Sequence, residues 1–125
     1  FILPKNNSYD GLMEILKIIS NSGQGSFLAV LKLYGKENQN YLSFPIEGYS
    51  LALDFKIING LFSLLNILDK VVLKYGGRIY LAKDVRVTKD VFEKGYNQIS
   101  RFRSIRKKYG MKDYLNSNQS IRVDI

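Results

Sequence analysis

The period at which apolar and polar residues alternate changes several times along the chain, and each change marks an element. Phe1-Ile2-Leu3 is a short apolar run stopped by Pro4, which suits the end of a strand because proline cannot donate to a ladder. Leu12, Ile15, Leu16 and Ile19 then recur at helical spacing, with Ser8 and Asp10 as N-cap oxygens and Gly23 as the stop. Phe27 to Tyr34 is apolar on both sides of a two-residue repeat apart from Lys32, which predicts a strand at least partly covered on both faces. Gly35 to Asn40 is polar and loop-like, and Phe44-Pro45 with Gly48 sets up the next strand.

Tyr49 to Ile57 is the most informative stretch. Tyr49, Leu51, Leu53, Phe55 and Ile57 fall on one side, and Ser50, Ala52, Asp54 and Lys56 fall on the other. The first side belongs in a core; the second is a wall facing solvent or a ligand. Asn59 is placed to cap a helix whose Leu61, Leu64, Leu65, Leu68, Val71, Val72 and Tyr75 form a wide apolar stripe, ended by Gly76-Gly77. Arg78 to Ala82 predicts a fourth strand. Thr88 caps a short helix through Phe92, and Tyr96, Ile99, Phe102, Ile105 and Tyr109 carry a last stripe to Gly110. Met111 to Ile125 is mixed, a tail anchored by Tyr114 and Leu115 with fraying expected at its end.

The order strand, helix, strand, strand, helix, strand predicts an α+β fold: a ferredoxin-like split βαβ antiparallel sheet with helices on one face, plus C-terminal helices. The free face would carry Lys32, Tyr34, Ser50, Ala52, Asp54 and Tyr80. A partly apolar open face must be hidden by another domain or filled by a ligand.

Composition narrows the chemistry. The 125 residues, 46% of them hydrophobic, fit one domain spanning residues 1–125. There is no cysteine, histidine or tryptophan, which removes disulfides, thiol and imidazole catalysis and nearly every zinc site, so no metal is expected. Chemistry is left to Lys, Arg, Tyr and carboxylates. The lack of cysteine fits a cytoplasmic protein, and no apolar run is long enough to cross a bilayer or resembles a signal peptide. A start on an apolar run without methionine reads as a piece of a longer polypeptide. The formal charge of +8 is concentrated in Lys94, Arg101, Arg103, Arg106, Lys107, Lys108 and Lys112. Such a run is either a solvated helix face or a contact for an anionic partner, such as a lipid phosphate or an inner-membrane surface touched peripherally.

Gly23-Gln24-Gly25 is a turn without the third glycine and preceding strand of a dinucleotide fingerprint. Lys32 opposite Asp54 reads as a cross-strand ion pair, worth about 0.2–1 kcal/mol, or as part of a site. Tyr80, with Lys83 and its neighbours Asp84 and Arg86 close by, adds a phenol and cations to the same face, or the three charged residues form a surface charge cluster.

Three strings then carry a resemblance: Ser43-Phe44-Pro45 with Gly48-Tyr49, Leu51-Ala52-Leu53-Asp54-Phe55, and Gly76-Gly77-Arg78-Ile79-Tyr80-Leu81-Ala82-Lys83-Asp84. Together they resemble the C-terminal region of FAD-linked oxidoreductases of the vanillyl-alcohol oxidase superfamily, in the branch of sugar-lactone, alditol and lipid-phosphosugar oxidases. Phe92, Tyr96 and Ile105-Arg106 continue the likeness, so it covers most of the chain. The resemblance implies a substrate (cap) domain whose FAD-binding domain lies upstream. It implies that Lys83 reaches the flavin and the substrate, as a cofactor-binding and catalytic residue, and that Lys32, Ser50, Ala52 and Tyr80 border the substrate. Tyr80, Asp54 and Lys32 are the candidates for accepting the hydroxyl proton. Ala52 replaces a cysteine, and Ser50 an asparagine, of the lipid-phosphosugar branch. The implied reaction oxidises a secondary alcohol of a sugar or polyol, including a polyprenyl-phosphate-linked sugar, with a short-chain reductase as partner in a two-step epimerisation and no nucleic acid involved. The competing reading is a non-catalytic ferredoxin-like binding module for nucleic acid or another anionic partner. Tyr34 and Tyr80 in a basic field fit that reading in part, and Asp54 between them opposes it.

Overall fold

Three antiparallel strands, β1 (Ile2–Pro4), β2 (Ser26–Tyr34) and β3 (Gly48–Phe55), form one sheet in the order β1-β3-β2 in the computed structural model, which describes residues 1–125. Register fixes which side chains share a face: Leu31 lies opposite Leu51 and Lys32 opposite Ser50, while Ile2 lies opposite Ser50 on the other flank of β3. Gly48 is required at the end of this ladder. A Cβ there would stand 1.9 Å from the carbonyl oxygen of Leu3, so any side chain would force β1 away from β3.

Helices α1 (Ser8–Asn21) and α2 (Leu61–Lys74) cover one side of the sheet. Ile15 and Ile19 of α1 and Leu64, Leu68, Val71 and Val72 of α2 close over Leu3, with Leu53 and Phe55 packed against them. The predicted apolar stripes are thus the faces that bury. The caps differ from the prediction. Ser8 is the first helical residue and its hydroxyl donates to the carbonyls of Leu3 and Pro4 at 3.0 and 2.7 Å, pinning the strand end to the helix. Gly60, with φ 85°, occupies the N-cap of α2 in place of Asn59. Gly76, with φ 74°, supplies the left-handed turn that ends α2.

The expected fourth strand is reduced to one bridge. Arg78 exchanges both backbone hydrogen bonds with Ile2, at 3.0 and 3.1 Å, and the chain then turns into a 3₁₀ turn at Leu81–Lys83. Past Tyr80 the chain leaves extended geometry and bonds locally, the Asp84 amide donating to the Leu81 carbonyl at 3.2 Å. Arg78 nonetheless flanks β1 on the side away from β3, the fourth-strand position of a ferredoxin-like sheet, and the fold is α+β of that kind.

A second core lies beyond this bridge. Val87, Phe92, Tyr96, Ile99 and Val123 are buried together, contributed by α3 (Lys89–Gly95), α4 (Ile99–Lys108) and α6 (Asn118–Val123) with their connections. Thr88 caps α3 as predicted, accepting from the Val91 amide. The tail does not fray. Ser117 and Ser120 form a reciprocal cap at the start of α6, and Val123 is fully buried. A short helix α5 (Met111–Tyr114) joins α4 to this segment. Helix α2 meets α3, so the two cores share one body. No helix is long and apolar enough to cross a membrane.

Strand β2 overhangs the helices. Phe27 is 76% exposed and Leu33 62%, and Leu28 and Leu31 are also exposed, so neither face of this strand is covered as the sequence predicted. Its outer edge pairs with nothing.

Candidate functional site

The sheet face away from α1 and α2 carries Ile2 of β1, Ser50, Ala52 and Asp54 of β3, and Leu28, Val30, Lys32 and Tyr34 of β2. It is open only in part. The loop between β2 and β3 returns across one end: Phe44 sits between Tyr34 and Tyr80, with ring centroids 6.1 and 4.8 Å away. Arg78 holds this loop from beneath. Its Nη1 donates to the Ser43 carbonyl at 2.8 Å, its Nη2 meets Glu37 at 3.0 Å, and its guanidinium lies 5.3 Å from the Tyr96 ring centroid. Ile2 and Ser50, in the row between Arg78 and Lys32, are accordingly buried.

That arrangement corrects the reading of Ser50, which is 6% exposed and does not form part of a wall open to solvent or ligand. Phe44 is the residue the sequence reading undervalued. The string Phe44-Pro45 signals a rigid apolar turn, but nothing local says that the ring folds back onto the sheet.

The open remainder holds Lys32 and Ala52, both exposed, with Asp54 and Val30 half-buried. The expected Lys32–Asp54 ion pair is absent. Lys32 faces Ser50 and Asp54 faces Leu28, four residues further along β3, which is about 13 Å at the rise of a strand. Neither charge has an ion-pair partner, so an ammonium and a carboxylate stand free at the two ends of the patch.

Tyr80 rises at the β1 side of this patch, 43% exposed, two residues beyond the bridge at Arg78. The 3₁₀ turn that follows begins only after Tyr80, whose own backbone is extended, and Lys83 is its last residue. Lys83 is exposed and forms no ion pair. Its charged neighbours are fully engaged. Asp84 accepts from the amides of Arg86 and Val87 at 3.0 and 2.8 Å and pairs with Arg122 of α6. Arg86 makes a bidentate pair with Asp69 of α2, both contacts at 2.7 Å. The apparent cluster therefore divides into a structural pair of bonds and one free ammonium.

Two grooves lie elsewhere, between the β2–β3 loop and α4. One, of about 450 Å³, is lined by Glu37, Asn38, Gln39, Tyr41, Gln98 and Arg101. The other, of about 710 Å³, runs along residues 39–43 to Phe102. Neither includes Lys32, Ala52, Asp54, Tyr80 or Lys83. The predicted site residues lie outside both of these grooves. Tyr96 also takes no direct part: its hydroxyl donates to the Ile79 carbonyl at 2.7 Å, and burial pushes its pKa well up.

The fold defines the class: an α+β domain of ferredoxin-like kind with one sheet face partly open and bordered by Tyr80. Comparison with known proteins gives that class a chemistry. No family model matches the chain. Its sequence is 41% identical over 107 residues to decaprenylphosphoryl-beta-D-ribose oxidase of Mycolicibacterium smegmatis, spanning 86% of this chain and 23% of that protein. It is 33% identical over 98 residues to an uncharacterized protein in the mprA 5′ region of Streptomyces coelicolor, spanning 78% of this chain and 27% of that protein. The chain thus spans about a quarter of the length of these relatives. The similarity is consistent with a C-terminal domain of an FAD-linked oxidase and supports an oxidoreductase domain.

Proposed function

We propose that this chain is the substrate-side domain of an FAD-dependent oxidoreductase that oxidises a secondary alcohol of a sugar or polyol, lipid-phosphate-linked sugars included. The observation that carries the reading is the 41% identity to an oxidase over 86% of the chain. The face described above supports it. Its free charges, Lys32, Asp54 and Lys83, are left unpaired while Asp69, Asp84, Arg86 and Arg122 are all matched. Unpaired charges beside an apolar surface are available to a ligand.

The residues fit a flavin at one point. Lys83 offers a free ammonium three residues along the chain from the exposed Tyr80 phenol, a donor set suited to the electron-rich edge of such a ring. Nothing in the chain cradles a pyrophosphate, so the rest of FAD would be held by another domain. When bound, the flavin supplies the hydride acceptor. Lys83 would hold positive charge where negative charge develops, and Tyr80, Asp54 and Lys32 are the candidates for taking the hydroxyl proton. Lys32 and Asp54 bracket the substrate hydroxyls, and Ala52 leaves space between them. Ser50 acts from below, as part of the floor. A short-chain reductase would then return the ketone to an alcohol of opposite configuration.

The test uses the full-length protein. Lys83→Ala should retain bound flavin by its visible absorbance yet slow anaerobic reduction by substrate. A contact at about 4 Å in an effective dielectric near 20 is worth up to about 4 kcal/mol, so the slowing is up to about 10³-fold. Reduction at the unaltered rate would overturn the role given to Lys83.

A further inference from the structure

We propose that the tip formed by the end of α4 and by α5 is a contact for an anionic lipid surface. Between Arg101 and Leu115 the chain carries six cations and one acid, Asp113. Half of the cations are used internally. Arg103 donates to the carbonyls of Val123 and Asp124 and pairs with Glu93, Arg106 donates to the carbonyl of Leu115, and Lys112 pairs with Asp124. Arg101, Lys107 and Lys108 stay exposed and form no ion pair, and the Lys108 ammonium lies 5.5 Å from the Tyr109 ring centroid.

Large side chains emerge beside them. Tyr109 is 65% exposed, Tyr114 86% and Leu115 62%. They are brought to one end by the backbone. Gly110, with φ 63°, reverses the chain between α4 and α5, and Arg106 draws the Leu115 carbonyl back to 2.7 Å from its guanidinium. Free ammoniums, phenolic rings and an exposed leucine at one tip make up the chemistry of an interfacial anchor. The rings and leucine suit the boundary with the acyl chains, and the lysines suit the phosphates. A single-stranded nucleic acid would use the lysines and rings but gives Leu115 no role. Asp113 reduces the positive field without cancelling it. The proposal does not depend on the oxidoreductase reading.

Co-sedimentation of the full-length protein with vesicles decides it. Binding to vesicles of phosphatidylcholine with phosphatidylglycerol is expected, with none to phosphatidylcholine alone. Lys107→Gln with Lys108→Gln should weaken partitioning about tenfold or more. Tyr114→Ala with Leu115→Ser should weaken it as well, including at high salt, where screening removes the contribution of the lysines. Partitioning unchanged in both double variants, equal binding to neutral vesicles, or displacement from vesicles by a single-stranded oligonucleotide at equal concentration would each overturn the proposal.

Discussion

A buried carboxylate without a partner costs several kcal/mol, and Asp69 and Asp84, with side chains 5% and 4% exposed, avoid that cost by pairing with Arg86 and Arg122. Lys83 stands beside them with no partner at all. Three neighbouring charges therefore differ in what they do, and a substitution at Asp84 or Arg86 would be read in stability, not in chemistry. Asp124 shows the same logic at the surface. Hydrogen bonds from Lys89 and Lys112 lower its carboxyl from 3.8 to about 2, and its backbone is left-handed at φ 57°, a conformation asparagine also tolerates. A lowered carboxyl contributes stability that is complete above about pH 4 and is lost as pH falls through about 2. Asp124→Asn should lower the melting temperature at neutral pH, and the gap from the parent should close on acidification through that window. A gap of constant size from neutral pH to about pH 2 would refute the assignment.

Among the elements, the junction of β1 and β3 is the least tolerant. Gly48→Ala sets a methyl group against the Leu3 carbonyl, where only backbone can yield. The expected cost is about 3–4 kcal/mol in urea denaturation, with loss of exchange protection at the Leu51 amide, which donates to the Phe1 carbonyl at 3.1 Å. Unaltered stability would show that the strands can separate without penalty. The elements legible in the sequence were those whose signal is local. The alternation in β3, the stripes of α1 and α2 and the cap at Thr88 are all set within a few residues. What depends on distant partners was not legible. The fourth strand is one bridge at Arg78 before a 3₁₀ turn, Ser50 is buried in the row that joins Arg78 and Ile2 to Lys32, and the tail is ordered by arginines of α4 reaching its carbonyls. The candidate site shows the same division. Residue alternation placed Ala52 and Asp54 on one face, while only coordinates separate Asp54 from Lys32 or free Lys83 from its engaged neighbours.

At the scale of the molecule, two cores meet along Ile79, which packs against both, and the candidate site lies on the rim between them. Tyr80 follows Ile79 directly, so this rim adjoins the seam of the two cores. Beyond that rim the sheet simply stops at β2, with a row of unsatisfied amides and carbonyls flanked above and below by leucine and phenylalanine. Taken alone in solution, the 125-residue chain should be gregarious. Sedimentation velocity is expected to show species that grow with concentration, and Leu31→Lys, planting a charge mid-strand, should return them to monomer. A single sharp boundary from the unaltered chain at about 100 µM would contradict this. Whether that margin is covered decides if the polypeptide stays dispersed or drifts toward fibrous precipitate.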